Sequence, residues 1–281
     1  KRNIGKADDY YDFARVVKLI RRLQPDCIIW GAAQRGDVIW GGSEKGHVKY
    51  PCWNLINKDT PQEKWISLEG DTPINHAGWF WHPGQETKVK SPEHLMQVYL
   101  DSVGRGANLI LNVAPNREGK LDPADVESLL TFGENRRRLL ATDYALGAAA
   151  TASQVRGNDP QFGAEKLTDG DIESYWCPND GTTGGTLEIT LKKPTTFDVV
   201  RLREQIRLGQ RVTGFKLEAR VNGSWQVIDD AGQTIGHQVM RKLAAPVTAD
   251  AVRLTITGSR ACPCISELSL LRMPVQMPKP E

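Results

Sequence analysis

The sequence predicts two domains of different class, an α/β domain over residues 1–144 and an all-β sandwich over residues 145–281. Amphipathic helices and short buried strands alternate up to about Tyr144, which favours a parallel sheet covered by helices. Beyond Thr151 the helical period disappears, and short strand-like runs follow one another between turn signals. A chain of 281 residues is long enough to bury both cores.

The composition is that of a globular protein, with 40% hydrophobic and 25% charged residues. The 36 basic and 34 acidic residues nearly balance at a net charge of +2, so the charge predicts neither a nucleic-acid nor an acidic-membrane partner. No apolar run reaches the length that spans a bilayer, and the first residues are polar, unlike a signal peptide. The five cysteines follow no zinc-binding spacing, so we expect ordinary thiols.

The first part of the chain opens with a predicted helix from Asp8 to Leu23. Its apolar residues recur on one face at helical spacing, and Pro25 prevents its continuation. A continuous apolar run then predicts a buried strand from Cys27 to Trp30, and a second run predicts another from Asp37 to Trp40.

The middle of this part contains one long connection and a further strand–helix series. Residues Pro51 to His76 lack a sustained period and predict an ordered connection, which a strand from Ala77 to Trp81 follows. Ser91-Pro92 predicts the start of a helix, Ala107 to Val113 a buried strand, and Asp122 the cap of a last helix. These elements are too few for a closed eight-stranded barrel, which takes about 250 residues.

The second part predicts an all-β sandwich. Turn sequences such as Asp169-Gly170 and Asn222-Gly223 separate short runs of strand-forming residues. The predicted strands are Thr186 to Leu191, Val199 to Arg203, Phe215 to Val221, Trp225 to Ile228, Val252 to Thr257 and Ile265 to Leu271.

The segment from Gly36 to Trp53 is the leading candidate for a functional loop. It begins as an apolar strand, breaks at two glycines, and then presents Ser43, Glu44 and His47. A strand that feeds a polar loop is how α/β barrels build active sites. The alternative is that Glu44 is an ordinary solvated carboxylate, as most isolated glutamates are.

Three segments of the first part occur in a distinctive order: Ile39-Trp40-Gly41-Gly42-Ser43-Glu44-Lys45-Gly46, Gly78-Trp79-Phe80-Trp81-His82, and Ser102 to Asn116. Together they resemble the α-L-fucosidases of glycoside hydrolase family 29, in particular the branch that acts on 1,3- and 1,4-linked fucose. The resemblance runs from about Tyr11 to Leu140. It implies that residues 1–144 are the C-terminal part of a (β/α)8-type barrel whose first strands precede Lys1.

This resemblance implies a retaining exo-α-L-fucosidase, which uses two carboxyl groups about 5 to 5.5 Å apart. It assigns the acid/base to Glu44, with Glu69 as a rival in the long loop. It assigns the aromatic that stacks on fucose to Trp79, and it makes His82 a candidate hydroxyl contact. The family's nucleophilic Asp has no counterpart in this sequence, so we expect it before Lys1. No organic cofactor is implied for catalysis.

Two positions depart from the family pattern, since Ile39 replaces an Arg and Ser43 replaces an Asn, and they leave the linkage preference open. The lack of a nucleophile leaves open a second interpretation, a non-catalytic carbohydrate-binding or adhesion protein. The implied partners are a fucosylated oligosaccharide or glycoconjugate and the N-terminal half of the barrel. Such a substrate implies a periplasmic or extracellular location.

Several segments of the second part, among them Leu167 to Asp171, Tyr175-Trp176 and Ile265 to Leu268, are also familiar. They resemble the galactose-binding-like jelly roll of the discoidin and coagulation-factor C-type family. In that family a similar loop often holds a structural calcium ion, so the resemblance makes Asp169 and Asp171 candidate Ca²⁺ ligands. The alternative is that both residues only form turns.

Overall fold

The computed structural model describes residues 12–31 and 36–275. In the first part of the chain the helices are α1 (Phe13–Leu23), α2 (Pro92–Asp101) and α3 (Pro123–Leu140), and the strands are β1 (Val38–Trp40), β2 (Leu55–Ile56), β3 (Lys64–Trp65), β4 (Ser67–Pro73) and β5 (Asn108–Asn112). The strands of the second part are β6 (Ala149–Ala152), β7 (Gly185–Glu204), β8 (Val212–Val221), β9 (Ser224–Gly232), β10 (Val239–Ser259) and β11 (Ile265–Leu271).

Helix α1 confirms part of the first predicted helix. Asp12 is its N-cap, with a side chain that accepts a hydrogen bond from the Arg15 amide at 3.3 Å. The predicted start at Asp8 lies outside the described residues. No residue of α1 is buried within the described structure, although one face is apolar. The predicted strand from Cys27 to Trp30 is reduced to a single bridge between Trp30 and Val38.

Strands β1, β4 and β5 form a parallel sheet with β4 in the centre. In its register Glu69 of β4 lies between Trp40 of β1 and Asn108 of β5. The sequence had predicted a connection over this stretch, and that prediction is wrong for β4. Polar residues alternate along β4, as at Glu69 and Asp71, so it lacks the continuous apolar run by which β5 was recognised.

Residues 77–81, predicted as a strand, instead form turns and bends. Gly78 has a φ of 124°, a conformation that glycine adopts far more readily than other residues. The apolar run around Trp79 therefore does not extend the sheet. Trp79 lies on a loop beyond the C-terminal end of β4.

Helices α2 and α3 cover one face of the parallel sheet. Leu95, Met96 and Tyr99 of α2 form one core cluster with Phe132 of α3. The N-cap predicted for α2 is confirmed, since Ser91 accepts a hydrogen bond from a backbone amide of the first turn at 3.2 Å.

The opposite face of this sheet is open in the described residues. Trp40 and Ile110, which share that face with Asp71, are 42% and 49% exposed. Parallel sheets are normally covered on both faces. A sheet with helices on one side and an open second side is the arrangement expected of part of a (β/α) barrel.

The strands of the second part are antiparallel, in the order β11-β7-β10-β8-β9, with β6 beside β7. Strand β11 has the predicted ends. Strand β7 joins two predicted strands across Pro194, and β10 begins at Val239, well before the predicted Val252. Prolines at positions 194 and 246 interrupt the apolar pattern, which is why the sequence predicted shorter strands. Trp176 and Phe197 are completely buried in the core.

The two parts of the chain pack against each other. Met240 and Leu271 of the second part join the core cluster of α2 and α3. Gln210 is 3% exposed, accepts a hydrogen bond from the Asn54 amide at 3.0 Å, and donates one to the Cys52 carbonyl at 2.7 Å. The domain boundary at residue 144 stays a prediction. Within the described ranges, every helix is too short or too polar to cross a membrane.

Candidate active site

Glu44 lies in the loop that follows β1, beyond the C-terminal end of that strand. At the start of this loop Gly41 donates its amide to the Glu69 carbonyl at 2.7 Å. A Cβ at Gly41 would lie 2.7 Å from Val48 Cγ1 and 3.0 Å from the Glu69 carbonyl oxygen. Only a glycine lets the backbone pass this close to β4. The loop then presents Glu44 as an exposed side chain.

The far end of this loop is attached to β4 as well. Gly46 donates its amide to the Asp71 carbonyl at 3.0 Å. Its φ is 72°, and an added Cβ would lie 2.7 Å from Val98 Cγ1. Both ends of the Glu44 loop are thus fixed to one strand, which limits where the Glu44 carboxylate can lie.

Two of the predicted site residues come together at this position. The Trp79 indole donates its Nε1–H to Glu44 Oε2 at 3.1 Å. The Trp79 backbone is held in turn by Asn112, at the end of β5, whose Nδ2 donates to the Trp79 carbonyl at 2.9 Å. The loops beyond β1 and β4 therefore meet at the Trp79–Glu44 contact, and the last residue of β5 supports it from behind, at the edge where α/β barrels place their active sites.

Further residues hold the Trp79 loop in place, and the sequence did not reveal them. Asn75 Oδ1 accepts the Ala77 amide at 2.9 Å. Asp122 was predicted to cap α3, but its side chain makes no capping bond. Instead it accepts the indole N–H of Trp81 at 2.6 Å and the side-chain amide of Asn116 at 3.1 Å. A carboxylate that accepts two such bonds fixes the loop to the start of α3.

The sequence predicted Glu69 on a loop, but Glu69 lies in the middle of β4. Its side chain is 9% exposed. Burial raises the pKa of this carboxyl group, the negative charge of Asp71 adds to the rise, and a hydrogen bond from Trp30 opposes it. Reactive groups of α/β barrels lie at the C-terminal ends of strands, which favours Glu44 over Glu69 as acid/base.

Asp71 lies on the open face of the parallel sheet, and the sequence did not single out this carboxylate. It accepts the indole N–H of Trp40 at 2.6 Å. No sequence pattern predicted the contact between Trp40 and Asp71, because the two residues lie on different strands and meet only when β1 pairs with β4.

His82 follows Trp79 in the same loop, but its backbone amide is bonded to Gln85. Its amide donates to Gln85 Oε1 at 2.9 Å, and its side chain is exposed. A role in binding a hydroxyl group stays a prediction.

Asp169 and Asp171 lie in a loop of the sandwich, between β6 and β7. Asp169 accepts the Asp171 amide at 2.9 Å and the Ser174 hydroxyl at 2.7 Å, and Asp171 accepts the Glu173 amide at 2.9 Å. These are turn-forming bonds, the alternative considered above. In residues 12–31 and 36–275, no group of three or more His, Cys, Asp and Glu side chains is arranged to hold a metal ion. The calcium site stays a prediction.

Comparison with known families identifies both parts of the chain. Residues 6–137 match the alpha-L-fucosidase family, and residues 149–268 match the F5/8 type C domain. The first part of the chain is thus similar to part of the alpha-L-fucosidases, and the second part is similar to the F5/8 type C domain. This confirms the predicted order of a partial barrel and a discoidin-like sandwich.

Two curated plant proteins extend the similarity over nearly the whole chain. The putative alpha-L-fucosidase 1 of Oryza sativa subsp. japonica is 35% identical over 93% of this chain and 53% of its own length. Alpha-L-fucosidase 1 of Arabidopsis thaliana is 30% identical over 95% of this chain and 55% of its own length. The chain therefore spans about half the length of the curated relatives it matches.

Solved structures show the same architecture. A putative alpha-L-fucosidase from Bacteroides thetaiotaomicron superposes with a TM-score of 0.84 and 30% identity, over 93% of this chain and 61% of that protein. A Ruminococcus gnavus GH29 fucosidase in complex with fucose superposes with a TM-score of 0.82 and 31% identity, over 94% of this chain and 57% of that protein.

Proposed function

We propose that this chain is part of a retaining exo-α-L-fucosidase that releases 1,3- or 1,4-linked fucose from glycans. The observation that carries the proposal is the contact between Trp79 and Glu44, 3.1 Å apart, at the C-terminal edge of the parallel sheet. The names of the relatives and the fucose bound to the Ruminococcus gnavus enzyme support the substrate class.

In this proposal Glu44 is the acid/base. It protonates the glycosidic oxygen while a nucleophilic Asp attacks the anomeric carbon, and the fucosyl–enzyme ester forms. Glu44 then removes a proton from water, which attacks the anomeric carbon and releases the Asp with retention of configuration. In our proposal the nucleophilic Asp belongs to the part of the barrel that precedes Lys1. Its carboxyl group lies about 5 to 5.5 Å from that of Glu44. The half-covered sheet and the greater length of the relatives support this placement.

The two departures at Ile39 and Ser43 lie on either side of the loop glycines, next to the proposed acid/base. The 1,3/1,4 preference rests on the motif resemblance alone. We infer a periplasmic or extracellular location from the glycan substrate, and a calcium ion in the sandwich from the resemblance of its Asp169 loop.

The test compares Glu44→Gln with the wild type, in the complete polypeptide that carries this sequence. Fucosides with poor leaving groups need protonation most, so we expect kcat/KM on fucosyl oligosaccharides to fall by about 10²-fold or more. We expect a much smaller loss on activated aryl fucosides. Glu127→Gln, on the exposed surface of α3, is the matched control. An equal loss on both substrate types would contradict the role of Glu44. Sugar binding without any release by the wild type would favour the carbohydrate-binding alternative.

A further inference from the structure

Three of the five cysteines lie together in the sandwich. Cys177, Cys262 and Cys264 are 0%, 8% and 3% exposed, and they share a small core with Phe162 and Tyr175. All three thiols are free in this structure. They lie in the F5/8 type C part of the chain, so the proposed hydrolysis gives them no role.

Cys177 and Cys264 face each other across two antiparallel segments. The residues next to them, Trp176 and Ile265, exchange both backbone hydrogen bonds, at 2.8 and 2.9 Å. In an antiparallel pair the next position along is a non-hydrogen-bonded pair, whose Cα atoms lie about 4.5 Å apart. Counting one residue forward from Trp176 and one back from Ile265 puts the two cysteines at that position.

Their backbone bonds agree with this register. The Cys177 carbonyl accepts the Arg156 amide at 3.0 Å, and the Cys264 carbonyl accepts the Gln205 amide at 2.9 Å. Both carbonyls therefore point away from the facing segment, as they do in a non-hydrogen-bonded pair. Disulfides span Cα separations of about 4.4 to 6.8 Å, a range that includes this pair type.

We propose that Cys177 and Cys264 form a cross-strand disulfide when the chain folds in the presence of a small-molecule disulfide. Both thiols lose their protons, the Sγ–Sγ bond forms through a mixed disulfide, and the small-molecule disulfide is reduced to two thiols. The bond ties the segment after Trp176 to the start of β11, and Cys262 keeps a free thiol.

Two opposing effects set when this bond forms. Arg211 Nη1 lies 3.3 Å from Cys264 Sγ, and the charge of Arg156 acts to lower the pKa of Cys177, so both cations favour the reactive thiolate. Burial outweighs them, since it raises the pKa of Cys264 to about 12 and also raises the pKa of Cys177. The folded pair therefore reacts slowly, and the bond forms mainly before burial is complete. Once formed, it is shielded from reductants.

The test follows the thiols of the complete polypeptide by mass spectrometry. One sample is refolded through a buffer of reduced and oxidised glutathione, and another is incubated in that buffer in the folded form; free thiols are then alkylated. We expect a peptide linked through Cys177 and Cys264 in the wild type and in Cys262→Ser. Cys177→Ser and Cys264→Ser should both lack it. Cys262→Ser is required because no Lys or Arg separates Cys262 from Cys264, so trypsin leaves them on one peptide.

Thermal unfolding supplies a second readout. The oxidised wild type and oxidised Cys262→Ser should unfold about 5 °C above their reduced forms, because the bond restricts the unfolded chain. Oxidised and reduced Cys264→Ser should unfold at the same temperature. A bond between Cys262 and Cys264, glutathione adducts alone, or alkylated Cys177 and Cys264 in both samples would overturn the proposal. Neither readout depends on glycosidase activity, so failure here is separate from failure of the proposed function.

Discussion

Trp79 meets Glu44 through the edge of its indole ring. Because Nε1–H lies in the plane of the ring, this bond itself occupies neither ring face. The face of an aromatic ring is the part that packs on the apolar side of a sugar. One residue can therefore orient the carboxylate and bind the substrate, and two substitutions separate these roles.

Trp79→Phe keeps an aromatic face but removes the donor to Glu44. We expect kcat on fucosyl oligosaccharides to fall about 10- to 100-fold with little change in KM, since a hydrogen bond to a charged group contributes about 1.5 to 3 kcal/mol. Trp79→Ala should also raise KM, because the stacking surface is lost. Trp225→Phe, in the sandwich, controls for the general effect of replacing a tryptophan. A Trp79→Phe enzyme with wild-type kcat would show that the hydrogen bond has no catalytic role.

At the level of elements, Glu204 joins three segments at one end of the sandwich. Its carboxylate accepts the Arg211, Val212 and Gly236 amides at 2.7, 2.9 and 2.7 Å, and its side chain is 3% exposed. Burial raises the pKa of Glu204 from 4.5 to about 7, against the effect of these amides. The folded chain therefore holds this proton more tightly than the unfolded chain does.

Glu204→Ala should lower the free energy of unfolding by about 3 kcal/mol, because two buried amides and one partly buried amide lose their acceptor. In the wild type the contribution of the Glu204 proton is complete below pH 4.5 and is lost as the pH rises through about 7. The drop in unfolding temperature between pH 5 and pH 8 should therefore be smaller in Glu204→Ala. Glu127→Ala is the exposed control. A variant as stable as the wild type, with the same pH dependence, would refute this assignment.

The elements that the sequence predicted correctly are those whose pattern is local. Strand β11 is a short buried run bounded by turn residues, and both of its ends are visible in the sequence. Strand β4 carries Glu69 and Asp71 toward the open face, so its apolar residues do not form a run. Its identity depends on pairing with β1 and β5, which no window of the sequence contains.

In the candidate site, too, the sequence predicted what depends on local patterns and missed what depends on long-range contacts. Motif resemblance singled out Glu44 and Trp79 separately. Their contact spans 35 positions of sequence and exists only because β1 and β4 are parallel neighbours. The supports at Asn75, Asn112 and Asp122 are ordinary polar residues, and their role in holding the Trp79 loop follows from the path of that loop, which no local pattern shows.

For the whole molecule, the contact between the two parts rests on buried groups more than on surface charges. The side-chain oxygen and nitrogen of Gln210 both form hydrogen bonds across this contact, and Gln210 is almost fully buried. Arg260 also crosses it, to Asp59 and to both carboxylate oxygens of Glu63, but the two carboxylate side chains stay 70% and 24% exposed, so water still screens these pairs. Exposed ion pairs contribute about 0 to 1 kcal/mol, whereas an unpaired buried polar group costs about 1 to 3 kcal/mol.

Gln210→Ala should therefore destabilise the protein by about 2 kcal/mol, since it leaves the Asn54 amide and the Cys52 carbonyl without partners. Arg260→Ala, the matched substitution at the same contact, should cost less than about 1 kcal/mol. Chemical denaturation of both variants measures the two values. A larger loss in Arg260→Ala would mean that surface charge holds the two parts together.

The most direct test of the proposed catalytic role is azide rescue of Glu44→Ala in the complete polypeptide. Once Glu44 is removed, a small anion can reach the anomeric carbon of the fucosyl–enzyme ester from the side that the carboxylate occupied. We predict that azide accelerates this variant on activated aryl fucosides, that the product is fucosyl azide of retained α configuration, and that the Glu127→Ala control is unaffected. No acceleration, or a product of inverted configuration, would contradict the assignment of Glu44 as the acid/base of a retaining fucosidase.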